Sequence, residues 1–292
     1  MIALGIDLGG TSAKIGLVED GNIVESVQVP TRADSDYEGI VTDLTEAAKK
    51  LALHRKVQKV GIGSLGIIDT KTGVVCFSNN IRWSDAPLRD DISKSLGLPA
   101  EIANDAKCAA LGEAVYGAGK GVDRVAMLTL GTGVGGGLVK NGKLERGSIY
   151  EDASGIFGHM TLVPNGRPCT CGRKGCFEAY CSATAVSEKA QQVLGISSAK
   201  EVFERAKKKE VKAVWLVENF ASYLASAVVG LANILRPQRI VIGGGMSASA
   251  KLFLPQVQDA VKREVYGSEY APVNVVVAKL GNKAGIIGAS LL

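Results

Sequence analysis

The chain repeats itself. Residues 6–24, IDLGGTSAKIGLVEDGNIV, and 128–145, LTLGTGVGGGLVKNGKLE, both run apolar strand, glycine turn, second strand, tight turn. Leu8-Gly9 aligns with Leu130-Gly131, and GLVEDG (16–21) aligns with GLVKNG (137–142) after one residue of slippage. Asp20-Gly21 and Asn141-Gly142 are hairpin signals, because two-residue hairpin turns need positive φ at both central positions. The offset of about 121 residues nearly halves a chain of 292, so a duplicated domain explains the likeness better than chance between two glycine-rich hairpins.

Between and after the repeats, helical and strand periods alternate. The segment SDYEGIVTDLTEAAKKLALHRK opens with a capping box from Ser35 to Glu38 and puts Ile40, Leu44, Ala47, Ala48 and Leu51 on one helical face. A buried-type strand follows at 57–66 and a helix at 104–117. Helices are expected at 179–194, 198–209 and 211–235, then a strand at 239–244, a helix, a strand at 273–279 and a short closing helix. Such alternation makes an α/β architecture. The expected division is 1–117, closed by the C-terminal helix 283–292, and 118–282. The two parts would face each other across a cleft suited to a ligand.

Composition excludes several classes. Hydrophobic residues make up 46% of the chain and charged ones 22%, as in a globular enzyme; a net charge of +5 is only mildly basic. Lys207, Lys208 and Lys209 read as a solvated helix face, so no nucleic-acid partner is expected. The start, MIALGIDLGG, has no basic region ahead of a long apolar run, and no stretch approaches the roughly 18 apolar residues of a membrane span. The expectation is a cytoplasmic protein with reduced thiols and no membrane contact.

Three glycine runs invite phosphate. DLGGT (7–11) and GTGVGGG (131–137) are turns between strands, where backbone N–H groups can close on phosphate oxygens with no Cβ in the way. Neither is a Walker loop nor a strand-to-helix G-x-G-x-x-G. As equivalent turns of a duplicated fold, they could clamp one polyphosphate from both sides. Asp7 could hold a hydrated Mg²⁺. The third run, VIGGGMS (241–247), could lie against an adenine or ribose, or be a plain strand–helix turn. In IANDAKCAA (102–110), Asn104 and Asp105 enter a helix. They are either N-caps or, for Asp105, a carboxylate that takes a proton from an attacking hydroxyl.

Four of the six cysteines fall within 167–181, RPCTCGRKGCFEAYC. Cys169 follows His159, one of two histidines, by ten residues, and Cys171 and Cys176 come after it. Three thiolates and an imidazole make a closed tetrahedral zinc set, structural rather than catalytic. No C-x-x-C redox spacing occurs. Cys76, Cys108 and Cys181 read as small buried hydrophobes.

DLGGT, ANDAKCAALGE, GTGVGGG, GHMTL…NGRPCTCGRKGCFE and IVIGGG, in this order along the whole chain, resemble the ROK family of bacterial sugar kinases and repressors. The resemblance implies a duplicated actin/hexokinase-like (ribonuclease H-like) two-domain fold with a central cleft. It further implies ATP with Mg²⁺, structural Zn²⁺, a hexose substrate and a homodimer. Residue by residue, it implies Asp105 as general base on the sugar 6-hydroxyl, and Asn80, Asn104, His159 and Glu178 as sugar ligands. Gly9, Gly10 and Thr11 with Gly131, Thr132 and Gly133 would be the phosphate turns, Asp7 and Lys14 would lie beside the first, and Gly243, Gly244 and Gly245 would belong to the adenosine site. His159 would bind zinc through one nitrogen and a sugar hydroxyl through the other.

The chain departs from that pattern at Ile156, where the family has a pocket Glu, in SIYEDAS (148–154), which lacks the usual glycines, and at Ala103. Glucose is the first expectation. Allose, mannose, fructose or an N-acetylhexosamine is the alternative, with Glu151 or Asp152 as replacement carboxylates. A sugar-sensing repressor would need a DNA-binding domain ahead of DLGGT, for which residue 7 leaves no room. A sugar-binding pseudokinase would also be expected to lack Asp105, which is present.

Overall fold

The computed structural model describes residues 2–31, 36–78, 81–146 and 155–292. In chain order its strands are β1 (Ile2–Leu8), β2 (Ser12–Glu19), β3 (Asn22–Pro30), β4 (Val60–Ser64), β5 (Ile67–Asp69), β6 (Val74–Ser78), β7 (Trp83–Ala86), β8 (Ala100–Asn104), β9 (Arg124–Leu130), β10 (Val134–Lys140), β11 (Lys143–Leu144), β12 (Arg239–Gly243) and β13 (Asn274–Val277). The helices are α1 (Tyr37–Ala52), α2 (Leu88–Leu96), α3 (Asp105–Val115), α4 (Glu178–Cys181), α5 (Ala183–Leu194), α6 (Ala199–Lys207), α7 (Val211–Leu235), α8 (Leu254–Glu264) and α9 (Ala284–Ala289).

The duplication is visible in the sheets. One has the order β3-β2-β1-β4-β8 and the other β11-β10-β9-β12-β13, so every strand has a counterpart. β1 pairs antiparallel with β2 and parallel with β4, which is parallel to β8. Likewise β10 is antiparallel to β11, and β12 is parallel to both β9 and β13. The hairpin tips have φ of 47° at Asp20 and 51° at Asn141, each followed by a glycine with positive φ, as two-residue turns require.

By contacts, the chain forms two compact units: Met1–Lys120 with Gly137–Gly155 and Leu280–Leu292, and Gly121–Gly136 with Ile156–Lys279. The segment Gly137–Gly155 therefore groups with the first unit, whereas a division at 117/118 assigns it to the second.

In the first unit, α1 buries Ile40, Leu44, Ala47, Ala48 and Leu51 beside Leu4, Ile6, Ile15, Leu17 and Ile62 of the sheet. The cap of α1 is a correction. Asp36, not Ser35, is the N-cap, its carboxylate accepting the Gly39 N–H at 2.9 Å, while Ser35 lies outside the described residues. α9 lies directly on β1 and β4. A Cβ at Gly5 or Gly61 would stand 2.1 Å from the Ile286 carbonyl oxygen or 1.7 Å from that of Ala289. α3 meets α9 as closely, Gly288 abutting the Cys108 carbonyl oxygen. The fully buried Glu113 of α3 ties this corner together. Its carboxylate accepts N–H bonds from Ala118 (2.7 Å) and Leu280 (2.6 Å), at the points where the chain leaves and re-enters the unit.

In the second unit, α7 packs against α5, α6 and α8, with Phe220 meeting Phe203 and Phe253 edge-on. The reading that no segment approaches a membrane span is corrected here: Val211–Leu235 is long and apolar enough by length and composition. The reason is an exposed face with only two charges, Lys212 and Glu218, among Val211, Trp215, Ser222, Ser226 and Ile234, beside an apolar face (Leu216, Phe220, Leu224, Val228, Leu231) buried in its own unit. That is the pattern of a core helix. Two further differences concern segments: the three-stranded sheet β5-β6-β7 and helix α2 were not anticipated, and the helix expected over 179–194 breaks at Ser182, which caps α5.

Candidate active site

In the first unit the parallel strands β1, β4 and β8 end together, with Leu8, Ser64 and Asn104 in register. This is the carboxyl edge where open α/β sheets bind ligands. Asp7 sits one residue before the end of β1, opposite Lys14 of β2. Burial raises its pKa and the Lys14 charge partly offsets the rise. α9 leaves Asp7 its room only because residue 285 is glycine: a Cβ there would lie 2.6 Å from the carboxyl carbon. The turn Gly9–Thr11 is closed by the Gly9 N–H donating to the Ser12 carbonyl (3.1 Å) and braced by Thr31 N–H on the Thr11 carbonyl (2.9 Å).

Asn104 and Asp105 do different things at the start of α3. Asn104 is the N-cap: its Oδ1 accepts the Ala106 N–H at 3.0 Å and its Nδ2 donates to the Gly66 carbonyl at 3.2 Å. Asp105 is the first helical residue. Its carboxyl is desolvated by the surrounding protein, which pushes its pKa up to about 7; N–H bonds from Ala106 and its own backbone oppose that, and the Asp7 charge adds to it. A carboxylate held near neutral pH is suited to accept a proton and release it again. Ala103 is fully buried with Cys108 and Ala289, so that departure falls in the core.

In the second unit, the His159 Nδ1, Cys169, Cys171 and Cys176 side chains converge: one donor atom from each lies within 4.8 Å of every other. Cys169 Sγ is 3.6 Å from His159 Nδ1, and Cys171 Sγ is 3.6 Å from Cys176 Sγ. These separations are far too long for a disulfide and close to the roughly 3.8 Å edge of a tetrahedron with zinc–sulfur bonds of about 2.3 Å. Arg173 fastens the knot to His159, donating to its carbonyl (2.9 Å) and to Thr161 Oγ1 (2.8 Å). Gly172 and Gly175 have φ of 85° and 80°, which explains the glycines between the cysteines.

The second glycine turn is closed by the Gly131 N–H on the Gly133 carbonyl at 3.0 Å. The third run lies against it: Gly244 has φ of 80°, and a Cβ there would be 2.4 Å from the Leu130 carbonyl oxygen. Gly244 is thus packed against Leu130, the residue that leads into the turn Gly131–Gly133. Glu178 opens α4, one carboxylate oxygen accepting the Val134 N–H (2.9 Å) and the other the Thr170 hydroxyl (3.2 Å). Asn80, Glu151 and Asp152 lie outside the described residues. Ile156 is 48% exposed, three residues before His159 on the 3₁₀ turn Phe157–His159. The sequence reading missed Thr184, whose hydroxyl donates to the Thr132 carbonyl at 2.8 Å, and the Gly66 turn that holds Asn104. Ser182 followed by Ala-Thr, a helix start, was the available signal for the first.

Two matching five-stranded sheets, each opening on a glycine-turned hairpin, define the actin/hexokinase-like two-domain fold. The model of the ROK family matches residues 3–292, and the chain belongs to that family. It is 36% identical to a glucokinase of Halalkalibacterium halodurans, over 99% of this chain and 94% of that one. It is 33% identical to an N-acetylmannosamine kinase of Haemophilus influenzae, again over 99% and 94%. A ROK family glucokinase from Streptomyces griseus, crystallised with glucose and AMPPNP, superposes with a TM-score of 0.84 at 34% identity, covering 99% of this chain and 98% of that one.

Proposed function

We propose that this chain is an ATP-dependent hexokinase of the glucokinase type, transferring the γ-phosphate of ATP to the 6-hydroxyl of a hexose, with glucose as first substrate. The observation that carries the reading is Asp105, a desolvated carboxyl with a pKa of about 7 at the carboxyl edge of a parallel sheet, in a chain of this family. Asp105 takes the proton of the 6-hydroxyl as its oxygen attacks phosphorus, so no free alkoxide has to form. Gly9, Gly10 and Thr11 with Gly131, Thr132 and Gly133 form the phosphate turns: the N–H groups of Gly9 and Gly131 close them, and those of Gly10, Thr11, Thr132 and Gly133 hold the phosphates. Gly243 to Gly245 lie under the adenosine, and Lys14 adds a positive charge beside the first turn. Asp7 would hold hydrated Mg²⁺, which supplies charge neutralisation on the phosphates.

The donor set His159, Cys169, Cys171 and Cys176 fits zinc by type and spacing, and a closed four-ligand site supplies structure. With Nδ1 turned into the knot, His159 keeps Nε2 for a sugar hydroxyl; Asn80, Asn104 and Glu178 would bind others. Thiols kept free for metal suit the cytoplasm. We place the enzyme there as a homodimer, a state that light scattering measures.

A second reading concerns the sugar alone. Ile156 offers a half-exposed apolar surface near His159, which suits the methyl of a 2-acetamido group better than a bare hydroxyl. An ADP-release assay across glucose, mannose, allose, fructose and N-acetylmannosamine separates the two. Turnover with glucose above all supports the main reading, and turnover with the acetamido sugar above all supports the second. No turnover with any hexose in the presence of ATP and Mg²⁺ refutes both.

A further inference from the structure

One short stretch of chain holds the backbone of the second glycine turn. The Val134 N–H donates to Glu178 Oε2 at 2.9 Å. The Gly131 carbonyl accepts the Ala183 N–H at 2.7 Å, and the Thr132 carbonyl accepts the Thr184 hydroxyl at 2.8 Å. All three grips come from residues 178–184, which begin two positions after Cys176. Phe177 and Cys181, both fully buried, anchor that stretch on either side of Glu178. The other oxygen of Glu178 faces back into the cysteine loop, accepting the Thr170 hydroxyl at 3.2 Å with Cys169 Sγ 3.9 Å away. Contact with the turn is so close that a Cβ at Gly133 would stand 2.5 Å from Glu178 Oε2.

We infer that Glu178 is a positioning residue for the nucleotide phosphates, through which the cysteine knot sets the shape of the phosphate turn. This rests on the reading above that residues 131–133 bind phosphate and that the knot holds zinc. A turn with two glycines in three residues has wide backbone freedom, and its N–H groups form a phosphate cradle only if something outside the turn fixes them. Here the fixing groups are Glu178 on one side and Ala183 and Thr184 on the other. Because Glu178 occupies the Val134 N–H, a phosphate oxygen cannot use that donor and is directed to the N–H groups of the turn proper. The consequence is that nucleotide affinity depends on a knot none of whose ligands touches the nucleotide. A role confined to sugar binding does not predict this.

The test is titration calorimetry of AMPPNP with Mg²⁺, without sugar, on the full chain and on Glu178→Ala, Glu178→Gln and Thr184→Val, each with a thermal melt to establish folding. Loss of one such hydrogen bond should weaken AMPPNP by about tenfold in Glu178→Ala and in Thr184→Val. Glu178→Gln, which keeps an oxygen acceptor, should stay within about threefold of the parent. Protein stripped of zinc and returned to Mg²⁺ buffer should weaken like Glu178→Ala. Thr184 is exposed and far simpler to replace, so Thr184→Val with reduced AMPPNP affinity and unchanged glucose affinity supports the inference even if Glu178→Ala does not fold. Folded Glu178→Ala and Thr184→Val that bind AMPPNP as the parent does overturn it while leaving the kinase reading standing. A parent chain that binds no AMPPNP refutes the kinase reading, and the inference with it.

Discussion

Asp105 shows how much one position can be asked to do. Its charge is disfavoured by burial, so the folded protein keeps through about pH 4 to 7 a proton that the unfolded chain gives up. The stability this contributes is complete below the unfolded pKa and is lost as pH rises through about 7. Asp105→Asn, neutral at every pH, should therefore melt higher than the parent at pH 8 by an amount worth up to a few kcal/mol, and the gain should vanish below about pH 4. The same substitution should lower kcat by at least ~10² with AMPPNP affinity unchanged, and kcat/KM of the parent should rise through a limb near pH 7. An Asp105→Asn enzyme of near-normal kcat would leave the residue as nothing more than part of a helix start. Ile156 carries the residue-scale test of specificity. Ile156→Glu should raise kcat/KM for glucose relative to N-acetylmannosamine by about tenfold, the worth of one hydrogen bond to a hydroxyl. Equal loss with every sugar would mean that the side chain does not face the ring.

At the scale of elements, α3 and α9 cross through glycines and are locked by the buried Glu113 carboxylate. Glu113→Gln keeps one oxygen acceptor but offers an NH₂ where the second backbone N–H needs a partner. It should cost about 1–3 kcal/mol, read as a lower urea midpoint at unchanged m-value. The two hairpin turns, the buried face of α1 and the strand β12 were legible from local pattern, because each is set by residues within a few positions of one another. The Asp36 cap lies one residue from the expected Ser35, and both are good caps, so sequence alone does not choose. The sheet β5-β6-β7 escaped notice because its strands are three to five residues long and separated by turn residues. The grip of Glu178 on Val134 spans 44 residues and leaves no periodic trace. The clustering of His159, Cys169, Cys171 and Cys176 was legible because the spacing of such residues is itself chemistry. Metal analysis should find about one zinc per chain, and Cys171→Ser should lower the melting temperature. Metal-free protein with the thiols of Cys169 and Cys171 freely reactive would refute the site.

Taken as a whole, the molecule interleaves its two units along the chain, each assembled from separated segments. Thermal unfolding need not be a single transition, and chelation of zinc should lower the transition of the unit holding the knot while leaving the other in place. A scan in which both shift together would show that the units unfold as one. The position of α9 has a consequence for how such a chain is made. Glycines at 5 and 61 leave the sheet face of the first unit bare until residues 284–289 cover it. About 180 residues separate Asn104, the end of the last strand of that sheet, from Ala284; at typical synthesis speeds that is roughly 10–40 s on the ribosome. During that interval the oldest part of the nascent polypeptide is the least finished. A nonsense codon or a stalled ribosome anywhere before residue 284 would leave an apolar sheet open to chaperones and proteases, so the cell's quality control reads the end of the message through the beginning of the protein.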